Sequence, residues 1–394
     1  VNAPVVLEVE APWLSGLRSP VNRRPLRPYR PGLLTDGDRL WPCLDTIPYL
    51  RTGREAVREA AVSALLREDP VTALVALLGD RKDASIPPVR PDAVRAAVVR
   101  PGTARRAMEL LDYGGMAPYL LHRWSLPTYL SGLALLEAHA PAGARLSEIG
   151  CGAGHFLRAW SRERDGDGTT GADLVFSMLW LARQYVCPRA RLICFDTEDP
   201  FPLAEDSADV VLSHDSFHYF RGKSHVLAQM RRLCAAGTLL VGHAHNADRP
   251  NHSPGLPLTA EEYQGLLGPG TCYDDAALTT AALTGLPPRP ADREALREAD
   301  AFAFARGPGT PPSPSARLVL PAPGTPLRAN PLLHGAAPRW PNGKFEDEYV
   351  QPWPYLRGLR RPEGIGADVA MDSSPRLEAL VRERVLLDLP PRWL

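Results

Sequence analysis

The run Glu148-Ile149-Gly150-Cys151-Gly152-Ala153-Gly154-His155-Phe156 constrains this chain more than any other feature. It follows a short apolar stretch ending at Ile149 and precedes a helical pattern with Phe156, Leu157 and Trp160 on one side. Strand, glycine turn and helix in that order open a doubly wound parallel α/β sheet, where ligands bind beyond the carboxyl ends of strands. Alternating glycines let the backbone turn sharply and approach a ligand where a side chain would intrude. The spacing is not that of a dinucleotide fingerprint. G-x-G-x-x-G requires a third glycine where this chain has His155, and here the third glycine comes one residue early, at Gly154.

Further elements follow in register. Thr169 to Asp173 reads as a second strand, followed by a helix with Leu174, Met178, Leu181, Ala182 and Tyr185 on one face. A carboxylate at the end of that strand lies beside the glycine turn and can accept from both hydroxyls of a ribose, which makes Asp173 the ribose candidate. Arg191 to Phe195 reads as a third strand ending in Asp196-Thr197, and the block from Pro200 to Phe220 contains a fourth. A helix with Val226, Met230 and Leu233 and a strand from Thr238 to Val241 continue the alternation.

The E-x-G-x-G-x-G spacing with these acids resembles the class I S-adenosylmethionine-dependent methyltransferases over roughly Leu136 to His245. The resemblance implies a Rossmann-like methyltransferase sheet with S-adenosylmethionine as cofactor. It implies that Glu148, Gly150, Cys151, Gly152 and Gly154 face the methionine end of the cofactor, with the acid organising the loop. Asp173 and Leu174 would meet the ribose, Asp196 and Thr197 the adenine, and His214 would line the cofactor from the fourth strand.

Methyl transfer from a sulfonium is an in-line displacement, so the protein mainly aligns the acceptor and removes its proton where necessary. The acceptor belongs beyond the fourth strand, where Ser213-His214-Asp215-Ser216-Phe217-His218-Tyr219 gathers titratable groups. Asp215 and His218 are the general-base candidates, because a histidine beside a carboxylate can be poised near neutral pH.

Composition excludes other classes. Lys+Arg and Asp+Glu are both 45 in 394 residues, and nearly all the basic residues are arginines. Nucleic-acid binding leaves a basic excess or stripe, which this chain lacks. The six cysteines form no C-x-x-C, so no metal site is expected. His243 and His245 have the spacing of a metal pair on one strand face, but no acidic third ligand is identified for them, and metal binding is not expected there. Without a signal peptide or a long apolar run, a cytoplasmic protein away from the membrane is expected.

Four regions are expected. Residues 1–91 form a proline- and arginine-rich, partly helical accessory region, irregular up to about Pro31. Within it, 32–50 reads as a hairpin around Asp36-Gly37 that faintly resembles a degenerate zinc ribbon, of whose cysteines only Cys43 remains. Residues 92–139 form a helical lid, with Tyr113, Tyr119, His122, Arg123 and Trp124 either packing it down or covering a substrate. Residues 140–250 are the cofactor-binding core. Residues 251–394 form an irregular extension that completes the sheet and substrate pocket, with a helix over Ala291 to Ala305, a loop over Pro308 to Ser315, an edge strand over Ala316 to Leu320 and a helix over Pro375 to Leu389.

Three functions fit these readings. One is a small-molecule methyltransferase tailoring a specialised metabolite, such as an antibiotic. Another is a methyltransferase-fold enzyme that cyclises or eliminates without methylating. The third is a partner-dependent subunit, with a protein partner or a second copy docking on the terminal additions.

Overall fold

The computed structural model describes residues 5–394 apart from 84, 101, 163–167, 252–254, 308–317, 336, 362–367 and 373. The N-terminal part is a four-stranded antiparallel sheet of β1 (Arg27–Arg30), β2 (Leu33–Thr35), β3 (Leu40–Leu44) and β4 (Ile47–Pro48). The turn between β2 and β3 holds Asp36, whose carboxylate accepts from Asp38 N–H, Arg39 N–H and Trp41 Nε1–H. This segment is more ordered than its proline content suggests. The N–H of Arg18 donates to Pro202 O at 2.8 Å, and Leu14, Leu17 and Leu26 are buried. Composition understated this region because its order comes from docking on the core.

Helices α1 (Glu55–Leu66), α2 (Pro70–Gly79), α3 (Pro91–Val99), α4 (Ala104–Leu110), α5 (Met116–His122) and α6 (Pro127–His139) lead into the core. Pro70 starts α2 at N1, where its missing N–H costs nothing, with Asp69 capping Thr72 N–H. Every residue of α6 from Pro127 to Ala138 is buried. A helix apolar all round belongs in an interior, and α6 packs against the sheet on one side and a later helix on the other.

The central sheet has seven strands: β5 (Leu146–Ile149), β6 (Thr169–Asp173), β7 (Arg191–Cys194), β8 (Val210–His214), β9 (Thr238–His245), β10 (Thr271–Asp274) and β11 (Ala301–Arg306). Their spatial order is β10-β11-β9-β8-β5-β6-β7. The five strands β5 to β9 are parallel, and β11 runs antiparallel to both β9 and β10. Val210 and Leu212 of β8 join one apolar layer and Val211 the other, so both faces are covered. Interleaved helices α7 (His155–Ser161), α8 (Phe176–Leu181), α9 (Lys223–Leu233), α10 (Ala260–Leu267), α11 (Asp275–Thr284) and α12 (Arg293–Glu298) complete the layers. The order reverses between β5 and β8, and in open α/β sheets the ligand crevice lies at such a reversal.

Three expectations for the C-terminal part need correction. The helix expected over Ala291 to Ala305 ends at Glu298, and Ala301–Arg306 is strand β11. Its alanines suggested a helix, but Ala303 and Ala305 face one layer while Phe302 and Phe304 face the other, the two-residue period of a strand. The edge strand expected over Ala316 to Leu320 is replaced by β11. Residues 316 and 317, like the loop at 308–315, lie outside the described residues, and 318–320 form a turn and bend. There the buried Glu137 carboxylate accepts from the N–H groups of Leu318 and Val319. The terminal helix stops at Arg382. Arg384 has φ 59°, and Leu386–Leu387 pairs with Pro326–Ala329 in a small sheet.

Both additions are packed on the core. Leu50 N–H donates to Cys194 O at 2.7 Å, extending the sheet past its β7 edge. At the other end the Trp393 indole is fully buried and donates to Leu121 O at 2.9 Å. Among the described residues no helix is long and apolar enough to cross a membrane.

Candidate active site at the ends of the parallel strands

The loop after β5 is built from left-handed glycines, with φ of 78° at Gly150, 53° at Gly152 and 79° at Gly154. A Cβ on Gly150 would lie 2.6 Å from Ser216 Cβ, and one on Gly154 would lie 2.6 Å from Cys187 Sγ. A Cβ on Gly152 would meet nothing within 4 Å, so the middle of the loop borders open space. Asp173, at the end of β6, braces the loop. It accepts from Gly152 N–H at 2.9 Å with one oxygen and from Val175 N–H at 2.8 Å with the other. A carboxylate offers about four acceptor sites, so this bracing leaves capacity for hydroxyls.

Glu148 is almost wholly buried, and its Oε2 has no hydrogen-bond partner. Burial pushes its carboxyl well above the usual range, opposed by the nearby Arg123 guanidinium. A buried unpaired acceptor costs about 1–3 kcal/mol, which a bound donor would recover. Asp196 follows β7, partly exposed, and accepts from Glu198 N–H at 3.0 Å, with Thr197 beside it. Cys151 is buried under the loop and Leu174 is half-buried beside Asp173. The orphaned carboxyl oxygen, the open cradle at Gly152 and the acids ending successive strands fit an adenosyl sulfonium with an amino-acid tail.

Beyond β8 the chain turns through Asp215 at φ 56°. Asp215 Oδ2 accepts from the Tyr119 hydroxyl and from Arg123 Nη1 at 2.8 Å. Despite burial, the charge of Arg123 holds this carboxyl below its usual range. That makes Asp215 a poor proton acceptor and a firm anchor. Arg123 also lies over the Tyr119 and Phe156 rings, 5.0 and 5.6 Å from their centroids. His214 is turned into the interior, where its Nε2 donates to Thr128 O at 2.6 Å and burial lowers its pKa to about 4. Its partner on β9 is Gly242, where a Cβ would sit 2.2 Å from the His214 ring.

His218 is fully buried in the short turn Phe217–Tyr219, and neither ring nitrogen has a hydrogen-bond partner. Burial lowers its pKa to about 3, so the ring is neutral. It stacks on His245 with centroids 3.8 Å apart. His243 lies 5.1 Å from the His245 ring, and its Nδ1 donates to Asp275 at 2.8 Å. A bulge opposite Phe302 to Phe304 and φ 47° at His243 re-aim this end of β9. The acids that the fold brings to His243 and His245 are remote in sequence: Asp275 bonds His243, and Asp215 lies beside His245.

The lid aromatics divide. Tyr113 bonds Ser177, and Trp124 packs against Tyr129, His155 and Trp393. His122 is buried edge-on to Phe345. Tyr119 and Arg123 reach the strand ends, with Tyr349 of the C-terminal part 6.2 Å from Tyr119. Sequence reasoning missed Arg123 as the partner of Asp215, and Asp275 altogether. The (i, i+4) spacing of Tyr119 and Arg123 was the available signal.

The strand order, the loop and the acids converge on one comparison. Residues 147–242 match the family described as "Methyltransferase domain". The core is a class I S-adenosylmethionine-dependent methyltransferase domain. A 109-residue stretch is 31% identical to malonyl-[acyl-carrier protein] O-methyltransferase of Pectobacterium atrosepticum, spanning 28% of this chain and 41% of that enzyme. The chain thus matches less than half the length of this curated relative. A possible histamine N-methyltransferase of Thermotoga maritima is similar in structure at 18% identity, covering 52% of this chain and 96% of that one, with a TM-score of 0.35. So is geranyl diphosphate C-methyltransferase of Streptomyces coelicolor, at 16% identity, 44% and 73% coverage and a TM-score of 0.34. The methyltransferase core carries the cofactor loop on one side of the sheet reversal and the histidine cluster on the other.

Proposed function

We propose that this chain methylates a small molecule held between the ends of β8 and β9, the helix α5 and the C-terminal part. The observation that carries this is Asp215, fixed by Tyr119 and Arg123 one loop away from the glycine turn. Glu148, Gly150, Cys151, Gly152, Gly154, Asp173, Leu174, Asp196 and Thr197 would hold S-adenosylmethionine. His214 shapes the pocket wall from the interior. The bound cofactor supplies a methyl group on a positively charged sulfur, already activated for displacement.

The chain's own part is orientation and exclusion of water. The glycine loop leaves room at Gly152, while Asp173 keeps that loop in place. Arg123 and Asp215 form a buried, fixed pair that can position a polar acceptor against it. Of the two residues expected to take the acceptor's proton, the geometry favours His218 over Asp215, whose Oδ2 already has two donors. A neutral charge balance supports a small molecule over nucleic acid, and tailoring of a specialised metabolite fits a core wrapped by two additions.

The test is mass spectrometry of cofactor and product in one reaction, over a panel of small hydroxylated acids, phenols and amines. Conversion of S-adenosylmethionine to S-adenosylhomocysteine in step with one added methyl group is expected. Product formed while the cofactor stays intact would replace methylation with cyclisation or elimination on the same fold.

A further inference from the structure

We infer that Asp215, His218 and His245 form a binding site for one divalent transition-metal cation. Asp215 and His218 come from the loop after β8, and His245 is the last residue of β9. One ligand atom from each lies within 4.8 Å of the other two, and all three residues are buried or half-buried. Two imidazoles and a carboxylate suit borderline ions such as Zn²⁺, Fe²⁺ or Ni²⁺, whereas Mg²⁺ and Ca²⁺ prefer all-oxygen sets.

Independent support comes from polar atoms left unpaired around the cluster. Both nitrogens of His218, Nδ1 of His214 and Oδ1 of Asp275 are buried without hydrogen-bond partners. Leaving such an atom unpaired in an interior is costly, and such groups in a native interior point to an ion, water or ligand as partner. Within the cluster His218 is the sharpest case, being fully buried with two unused nitrogens and one of them available to a cation. Asp215 is held as metal-binding carboxylates are: Tyr119 and Arg123 both engage Oδ2, which fixes the group and keeps both donors off Oδ1. His243, held by Asp275, flanks His245 and supports the cluster from the strand side.

This deepens the proposed function and rests on it for its catalytic meaning. A cation at this place would bind an oxygen of the acceptor, favour its deprotonated form and fix it toward the glycine loop. His218 would then be a ligand, and the acceptor's proton would pass to solvent water as its oxygen binds the cation, before the methyl group is transferred. The acceptor class becomes an oxygen nucleophile with a neighbouring donor for chelation.

The experiment uses full-length protein stripped with chelator and titrated with Zn²⁺ and Mg²⁺ by calorimetry, with Co²⁺ absorption as a second readout. About one equivalent of Zn²⁺ is expected, with Co²⁺ bands of an imidazole-containing site and no comparable Mg²⁺ binding. His218→Asn and His245→Asn should each weaken Zn²⁺ binding by more than about tenfold. Circular dichroism and thermal melting on every sample show that the variants fold, and S-adenosylhomocysteine binding is measured separately. Absence of stoichiometric Zn²⁺ binding overturns the site, and so does wild-type binding by the double variant. If S-adenosylhomocysteine fails to bind any folded sample, the methyltransferase reading falls while the metal result stands on its own titration.

Discussion

The two sides of the sheet reversal are made differently. The glycine-loop side uses backbone: three left-handed glycines braced by the two oxygens of Asp173, all within the run from Glu148 to Thr197. The histidine side uses side chains from distant segments: Tyr119 and Arg123 before the first core strand, Asp215 and His218 after the fourth, His243 and His245 at the end of the fifth, then Asp275 and Tyr349. A backbone cradle tolerates little change in the chain that forms it. A side-chain pocket can be rebuilt by altering any of several remote elements, so one core can serve many acceptors.

The largest effect should fall on the backbone side. Gly150→Val places a side chain on a left-handed backbone and against Ser216. It should weaken S-adenosylhomocysteine binding about 100-fold or more, since strain and clash of this kind each cost a few kcal/mol. Calorimetry giving wild-type affinity would show that the loop is not the cradle.

The mirror experiment is Asp215→Asn. It should reduce methyl transfer by about 100-fold, the scale of a misplaced acceptor, and leave S-adenosylhomocysteine affinity nearly unchanged. Equal loss of binding and turnover would mean that the two sides are not separable.

Asp173→Ala should weaken cofactor binding by about tenfold, because bonds to a charged group contribute about 1.5–3 kcal/mol. An unchanged dissociation constant in the same titration would leave Asp173 as a brace for Gly152 alone.

The smallest effect concerns stability under acid. His139, bonded to Tyr273, and His155, bonded to Leu120 O, lie behind the histidine side. Burial lowers their pKa values from 6.5 to about 4 and about 3. A group with a lowered folded pKa contributes its full stability above its unfolded value and loses it as protons bind the unfolded chain. Tm should therefore decline as pH falls from about 6.5 toward 3. His139→Gln should flatten that slope, and a slope identical to wild type would assign the acid sensitivity to carboxylates instead.

Legibility in the sequence followed the same division. The strand–glycine–helix unit, the acids at 173 and 196 and the helices before β5 were readable, because each depends on a few neighbouring residues. Strand β11 was misread as helix, because alanine alternating with phenylalanine satisfies a helix scale until the sheet assigns Ala303 and Phe304 to opposite faces. Asp215 and His218 were found as a pair in sequence, but their roles were not. Arg123 lies 92 residues from Asp215 and Asp275 lies 32 from His243.

By itself, the sequence determined the glycine loop, the acids at the ends of successive strands and the parallel core, since glycine conformations and hydrophobic periods are local properties. Only the tertiary structure decided that Asp215 pairs with Tyr119 and Arg123 and that His218 stacks on His245. It alone packed the proline-rich ends onto the sheet. Those outcomes depend on pairing between distant segments and on burial, which shifts charge and removes water, and neither is written in any short run of residues.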